Sequence, residues 1–210
     1  MTLPEIIAQL QRRWPDEVES LPVFRGEHGV RVAPGRVLEA CLVLKVEGAF
    51  DLLTDLSGVD QSPQTPRFEV HYLFYSLAHR LRLRMVTAVP EEDPVVDSVT
   101  SVWRTADWHE REAYDMFGLR FRGHPNLTRI LMWEGYPYHP LRKDFPLAGL
   151  PAELPATAVN AGRAETAPDE GGQFVAGIGV ATAVRREPRA HDTMDARDRR
   201  VAMPEKREEI

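Results

Sequence analysis

The run RFEVHYLFYSLAHRLRLRMVTAV (residues 67–89) decides the fold. Phe68, Val70, Tyr72 and Phe74 alternate with Glu69, His71, Leu73 and Tyr75. After a short link at Ser76–His79, Leu81, Leu83 and Met85 alternate with Arg80, Arg82 and Arg84. Successive strand side chains point to opposite faces, so period two occurring twice predicts an antiparallel hairpin with one wet face. Upstream, FDLLTDLSGVD (50–60) reads as a neighbouring strand that ends in a turn.

Further upstream the period changes. Thr2 to Trp14 reads as a helix, with Thr2 and Glu5 at capping-box spacing and Pro4 in the first turn. Ile6, Ile7, Leu10 and Trp14 make one apolar stripe, and Pro15 stops it. Residues 21–33 hold two short β-prone runs around a turn at Gly26–Gly29. A second helix is expected from about Pro34 to Val46, with Val37, Leu38, Cys41, Leu42 and Leu44 inward. The order α-β-β-α-β-β-β indicates an α+β fold: a two-layer sandwich, with a mixed or antiparallel sheet and helices on one side.

Downstream of the hairpin, Asp93–Pro94 reads as a helix start, with Val95, Val99, Val102, Trp103 and Ala106 at helical spacing. Asp107 with Glu110 gives a second cap, and Gly118 a natural stop. Residues 151–210 contain one aromatic, Phe174, among many Ala, Gly, Pro, Glu and Arg. Such a segment does not readily assemble a core of its own. It is expected to be an extended tail, disordered alone or lying along a partner; its apolar patch FVAGIGVATAV (174–184) is too short to span a bilayer. The organisation expected is thus an α+β domain over 1–120, an extension over 121–150 and a tail over 151–210.

Bulk properties exclude several function classes. A net charge of −6 gives no mass attraction to nucleic acid, and no basic run is interleaved with aromatics. The single cysteine, Cys41, rules out an internal disulfide framework or a multi-thiolate metal centre of this chain alone, and suits a reducing compartment. Its place on an apolar helix face points to an inert buried thiol. The opening MTLPEIIAQLQRRW lacks the marks of a signal peptide, and no apolar run nears the ~20 residues of a membrane span. Any membrane link is expected to come through a partner.

The densest chemistry lies in HEREAYDMFG (109–118). His109–Glu110 opens like a zinc-protease helix, but the second histidine such a site needs four residues on is Ala113. Arg111 and Asp115 stand at i,i+4 in the weaker orientation, which contributes only ~0.3 kcal/mol when exposed. The charges are therefore read as groups paired across an interface. His124 and His139 each precede a proline and are read as turn-ordering. HPLRKDF (139–145) packs Arg142, Lys143 and Asp144 between Leu141 and Phe145, with no glycine-rich loop to cradle an anion. No phosphate-binding loop, dinucleotide fingerprint or nucleophile elbow is present. What remains is a segment, 103–147, rich in Trp, Tyr, Phe, Pro and Arg, the residue types favoured at protein–protein contacts.

EREAYDMFGLRFRGHPNLTRILMWEGYPYHPLRKDFPL (110–147) resembles the signature region of the C-type subunit of proton-translocating NADH–quinone oxidoreductase, respiratory complex I. FDLLTDLSGVD, the strands at 67–88 and VPEEDP (89–94) resemble the same family, so the likeness covers about residues 1–150. It implies a two-layer α+β domain in the hydrophilic arm of that complex, on the cytoplasmic side of the cell membrane. It implies docking chiefly on the large D-type subunit, with the B-type and other peripheral-arm subunits as further partners. Flavin (FMN) and iron–sulfur clusters would lie in those other subunits, which pass electrons from NADH to a quinone coupled to proton pumping. This chain would carry no cofactor, metal or catalytic residue. Glu110, Arg111, Glu112, Asp115, Gly118, His124, Pro125, His139, Arg142, Lys143 and Asp144 would shape its docking segment. The alternatives are the same module in a related membrane-bound hydrogenase or dehydrogenase, and a stand-alone metal-dependent hydrolase built on His109, Glu110 and Glu112.

Overall fold

The computed structural model describes residues 2–152 and the backbone of a two-residue strand at 175–176. The expectation of an extended tail over 151–210 falls almost entirely outside the described residues.

Helix α1 (Leu3–Arg13) starts as the capping box requires, with the Thr2 N–H donating to Glu5 Oε2 at 2.7 Å. It buries Ile6, Ile7 and Leu10. Strands β1 (Val18–Phe24) and β2 (Glu27–Val32) form a hairpin, followed by α2 (Val37–Val46). Then come β3 (Leu52–Asp60), β4 (Phe68–Ser76) and β5 (Leu81–Val89). The hairpin read from alternation is present, paired in unbroken register from Phe68↔Val89 to Ser76↔Leu81. The sheet runs β1-β2-β5-β4-β3 and is mixed, because β2 lies parallel to β5 while the other pairs are antiparallel.

One face of the sheet carries the core. Phe68, Val70, Tyr72 and Phe74 on β4 and Leu83 and Met85 on β5 pack with α1, α2 and a third helix, α3 (Ala106–Phe117). Gly58 on β3 lets α3 approach closely. A Cβ there would stand 2.7 Å from Phe117 Cδ2 and 2.9 Å from Leu119 Cδ1.

Four local expectations are corrected. Asp93–Pro94 opens a strand, β6 (Val95–Asp97), which pairs in parallel with β7 (Arg120–Arg122). Pro94 O accepts the Arg120 N–H at 2.8 Å and Asp97 pairs with Arg122 at 2.6 Å, long-range bonds that local spacing does not reveal. Val99, Trp103 and Ala106 are nonetheless buried, so their spacing reported burial rather than helix. The N-cap of α3 is Thr105, not Asp107. On α2 the buried set is Val37, Ala40, Cys41, Val43 and Leu44, whereas Leu42 is 48% exposed, because a helix apolar nearly all round gives periodicity little to discriminate. The β1–β2 turn lies at Arg25–Gly26, both with positive φ (51° and 80°), and Gly29 sits inside β2 beneath Leu21. Gly118 does end α3, left-handed at φ 77° with its N–H on Tyr114 O at 2.9 Å. No helix of the described residues is long and apolar enough to cross a membrane.

Candidate docking segment

After α3 the chain turns back over the helix and the end of β3. Two buried carboxylates fix that return path. The first is Asp115, whose side chain is fully buried. Its Oδ2 accepts the N–H groups of Ile130 (3.0 Å), Leu131 (2.7 Å) and Met132 (2.9 Å). Its Oδ1 accepts Arg129 Nη1 at 2.6 Å. Burial pushes the Asp115 pKa up, but those N–H groups and the guanidinium outweigh it and leave it below the ordinary value. The i,i+4 pair with Arg111 is therefore not made. Arg111 instead donates to Thr128 O at 3.1 Å and Thr128 Oγ1 at 2.9 Å, and lies over the exposed Trp108 ring.

The second anchor is Asp60, at the end of β3. Arg67 grips it with Nε (3.1 Å) and Nη2 (2.8 Å), and the Lys143 N–H reaches it at 2.8 Å. The Arg67 guanidinium holds the Asp60 carboxyl well below the carboxylate range. Arg67 also meets Asp144 at 3.0 Å, and Lys143 Nζ donates to Ser62 O at 2.9 Å. Sequence reasoning passed over Asp60 and Arg67. Their signal was an aspartate closing an apolar strand and an arginine opening the next, which spacing alone does not join.

Gly118 sits at the crossing of these paths. A Cβ there would stand 2.6 Å from Arg142 Nη2 and 2.7 Å from His139 Nε2. His139 points Nδ1 at Asp115 O (3.0 Å), and Arg142 Nε donates to Phe117 O at 2.7 Å. Burial, with the nearby charges of Arg142 and Arg129, keeps His139 below its ordinary pKa. Arg142 stacks on Phe68 and forms no ion pair among the described residues. A recess of about 260 Å³ lies against Tyr138, His139, Arg142 and Phe145.

Glu110 faces inward and is fully buried. Its Oε1 accepts the Val99 N–H at 2.7 Å, while Oε2 lacks a hydrogen-bond partner and lies 4.0 Å from His124 Nε2. His124 accepts the Asn126 N–H on Nδ1 at 3.0 Å, so Nε2 carries the proton and donates to Asp107 O at 3.2 Å. That bond orders the turn at Pro125. Burial pushes the Glu110 pKa up to about 7, against the opposing Val99 N–H. A carboxyl raised in this way costs stability progressively as pH climbs from about 4 to about 7, since the unfolded chain gives up its proton first. Glu110→Gln keeps an acceptor for Val99. It is expected to stabilise the chain by about 1–3 kcal/mol at pH 8 and to be near neutral at pH 4.5, measured by urea unfolding. A variant less stable than the parent at pH 8 contradicts this.

His109, Glu110 and Glu112, the trio a hydrolase would need, make separate contacts. His109 Nδ1 faces Asp55 at 3.6 Å, Glu110 points inward and Glu112 is exposed. No group of three or more potential metal-binding side chains occurs among the described residues.

Fold and site together define an α+β module with a return segment clamped over its end by buried carboxylates. The chain belongs to the family described as "Respiratory-chain NADH dehydrogenase, 30 Kd subunit", whose profile matches residues 30–151. Among its relatives, a C-type subunit (form 2) of the NADH-quinone oxidoreductase of Rhizobium etli is 49% identical over 149 residues, covering 70% of this chain and 79% of that protein. The C-type subunit of the NADH-quinone oxidoreductase of Geobacter sulfurreducens is 42% identical over 144 residues, 68% and 89% of the two chains. A solved trypsin-resistant fragment (1–134) of Nqo5 superposes with a TM-score of 0.51 at 32% identity, over 59% of this chain and 98% of the fragment. A chain of the archaeal membrane-bound sulfane sulfur reductase shares the fold, with a TM-score of 0.58 at 20% identity over 80% of this chain and 94% of that one.

Proposed function

We propose that this chain is a structural subunit of the peripheral arm of an NADH–quinone oxidoreductase. In this reading FMN and the iron–sulfur clusters belong to other subunits, and this chain carries no catalytic residue. It docks chiefly on the large D-type subunit, with the B-type and other peripheral-arm subunits beside it, and meets the cytoplasmic face of the membrane only through the complex.

One observation carries the docking role. The return segment is held from beneath by Asp115 and Asp60, yet it presents Leu131 and Leu141 to solvent, and the adjoining helix α3 presents Trp108 and Glu112. Large side chains preorganised on a fixed backbone bind a partner at low entropic cost. Arg142 adds a half-buried guanidinium that forms no ion pair among the described residues, although Asp144 lines the same recess. A carboxylate supplied by a partner would match its fork geometry.

Purification of the tagged full chain from its native membrane in mild detergent tests the assignment. Co-purification of a many-subunit NADH dehydrogenase supports it, and recovery of a lone chain overturns it. Arg142→Ala is expected to lower incorporation about tenfold or more, and Glu112→Ala less, while the isolated chain loses under ~2 kcal/mol in either variant. Normal incorporation of both variants would remove the docking role from this segment.

A further inference from the structure

The sheet has a second end, opposite the Asp60 anchor. Leu52 opens β3 there, and eight residue steps separate it from Asp60, roughly 26 Å at strand rise. Both hairpin tips lie at this end, because β2 and β5 start side by side, with His28 against Leu83. The β1–β2 tip presents Val23, 56% exposed, and Phe24, 63% exposed. The 77–80 tip presents Leu77, 59% exposed. Leu52 and Leu73 are also exposed on the neighbouring strands.

Arginines crowd the same end. Arg25 and Arg80 occupy the two tips, and Arg82 and Arg84 stand on the open face of β5. All four lack an ion pair among the described residues, although seven other arginines have one: Arg13, Arg31, Arg36, Arg67, Arg120, Arg122 and Arg129. Arg25 and Arg80 both sit at positive φ (51° and 53°), where an asparagine or glycine would be easier. On the open face Arg84 lies beside Leu73 and Arg82 beside Tyr75 across the strands. Between them runs a shallow groove of about 320 Å³, lined also by His28 and Thr54. Arg84 Nε is buried in that wall without a hydrogen-bond partner.

We propose that this end of the sheet is a second docking surface, which takes an acidic segment with aliphatic side chains from another member of the same complex. The inference rests on the assembly reading above and adds to it a contact remote from the return segment, making the chain a bridge between two neighbours. Charge complementarity selects the occupant. The chain as a whole is acidic at −6, yet this end gathers those four guanidiniums without an ion pair among the described residues; Glu27 is the one carboxylate among the groove-lining residues, and Asp51 at the tip is engaged by the Leu77 N–H. Carboxylates match the guanidinium fork of the exposed arginines. Leu52, Leu73 and Leu77 offer apolar contact beside them, the combination a peptide supplies in alternate side chains.

The test uses the tagged full chain in the purified complex. Arg82→Lys and Arg84→Lys keep the charge and give a zero-length carbodiimide reagent an amine to couple. Coupling of position 82 or 84 to an aspartate or glutamate of another subunit is the expected result. Arg80→Glu with Arg82→Glu, on the tip and the open face of β5, is expected to release that subunit, or to weaken its retention at least tenfold in salt washes, while the return-segment contacts hold. An intact complex that retains every subunit in the Glu variant and gives no such cross-link overturns the proposal and leaves the assembly reading standing. Binding of the purified chain to anionic phospholipid vesicles, lost in the Glu variant and unaccompanied by a cross-link, also overturns it, in favour of a lipid contact. A tagged chain that co-purifies with no other subunit overturns both readings.

Discussion

Replacing Asp115 by alanine is expected to cost about 3–5 kcal/mol of folding stability at pH 7, the range for removing one partner of a buried charged pair. The side chain is one carboxylate serving four donors, of which Arg129 alone has a second acceptor there, the Asp115 backbone O at 3.1 Å. Alanine would leave three adjacent backbone N–H groups without their acceptor and the mostly buried Arg129 with only the backbone carbonyl of residue 115, at 3.1 Å, in place of a carboxylate. Asparagine keeps the shape but points an NH₂ group at a donor whichever way it is turned, so it is expected to recover less than half of the loss. The pH dependence follows from the lowered pKa. Its contribution is fully present above the unfolded value of about 4 and is lost as pH falls through the lower folded value. The gap between parent and variant should therefore be constant from pH 5 to 8 and close only in acid. Urea unfolding at pH 7 and pH 3 measures both limbs. An Asn variant within ~0.5 kcal/mol of the parent at pH 7 would show that the 129–132 turn holds itself without the carboxylate.

Asp115 also marks the boundary of what the sequence could say. The hairpin at 68–89, the Thr2–Glu5 box and the Gly118 stop were legible because each rests on a local rule: alternation, a three-residue spacing, a conformation that glycine tolerates. The partners of Asp115 lie 14–17 residues downstream, and Lys143, which Asp60 holds besides Arg67, lies 83 residues away. No periodicity encodes such pairs. The same blindness turned 95–97 into a helix, since its bonding partner is a strand that follows α3. The charge-dense stretch was read as groups paired across an interface, but charge density did not tell inward from outward. Glu110 and Asp115 point in, Glu112 points out, and Arg111 lies along the surface. Helical geometry supplies part of the reason. Ala106, Glu110, Ala113 and Phe117 keep three- to four-residue spacing along one buried face, so an acid placed in that row is buried whatever its charge. The resemblance identified the family, whose residues carry the pattern, but not which of them bind within the chain.

Asp60→Ala is expected to match Asp115→Ala in size, at about 3–5 kcal/mol, and to differ in where the damage falls. Asp60 is nearly fully buried and Arg67 is mostly so. Without Asp60 the guanidinium keeps Asp144 and Glu91, both solvent-exposed carboxylates that screening weakens. The Ser62 and Lys143 N–H groups lose their acceptor as well. Asp144→Ala, by contrast, removes an exposed partner and is expected to cost under about 1 kcal/mol. The Lys143 N–H bond is the buried tie between HPLRKD and the end of β3, beside the exposed Lys143 Nζ–Ser62 and Arg67–Asp144 contacts, so its loss should open the return segment before the sheet unfolds. Trypsin reads this directly, because Arg142 and Lys143 are adjacent cleavage points. Local opening with the domain still folded raises cleavage there beyond what the global loss explains. Cleavage after Arg142 or Lys143 is therefore expected to speed up more in Asp60→Ala than in a core variant of equal stability, such as a Leu-to-Ala change at Leu56. Equal rates in those two variants would mean that the segment stays closed without Asp60, and that its path is set by Asp115 and the Gly118 crossing alone.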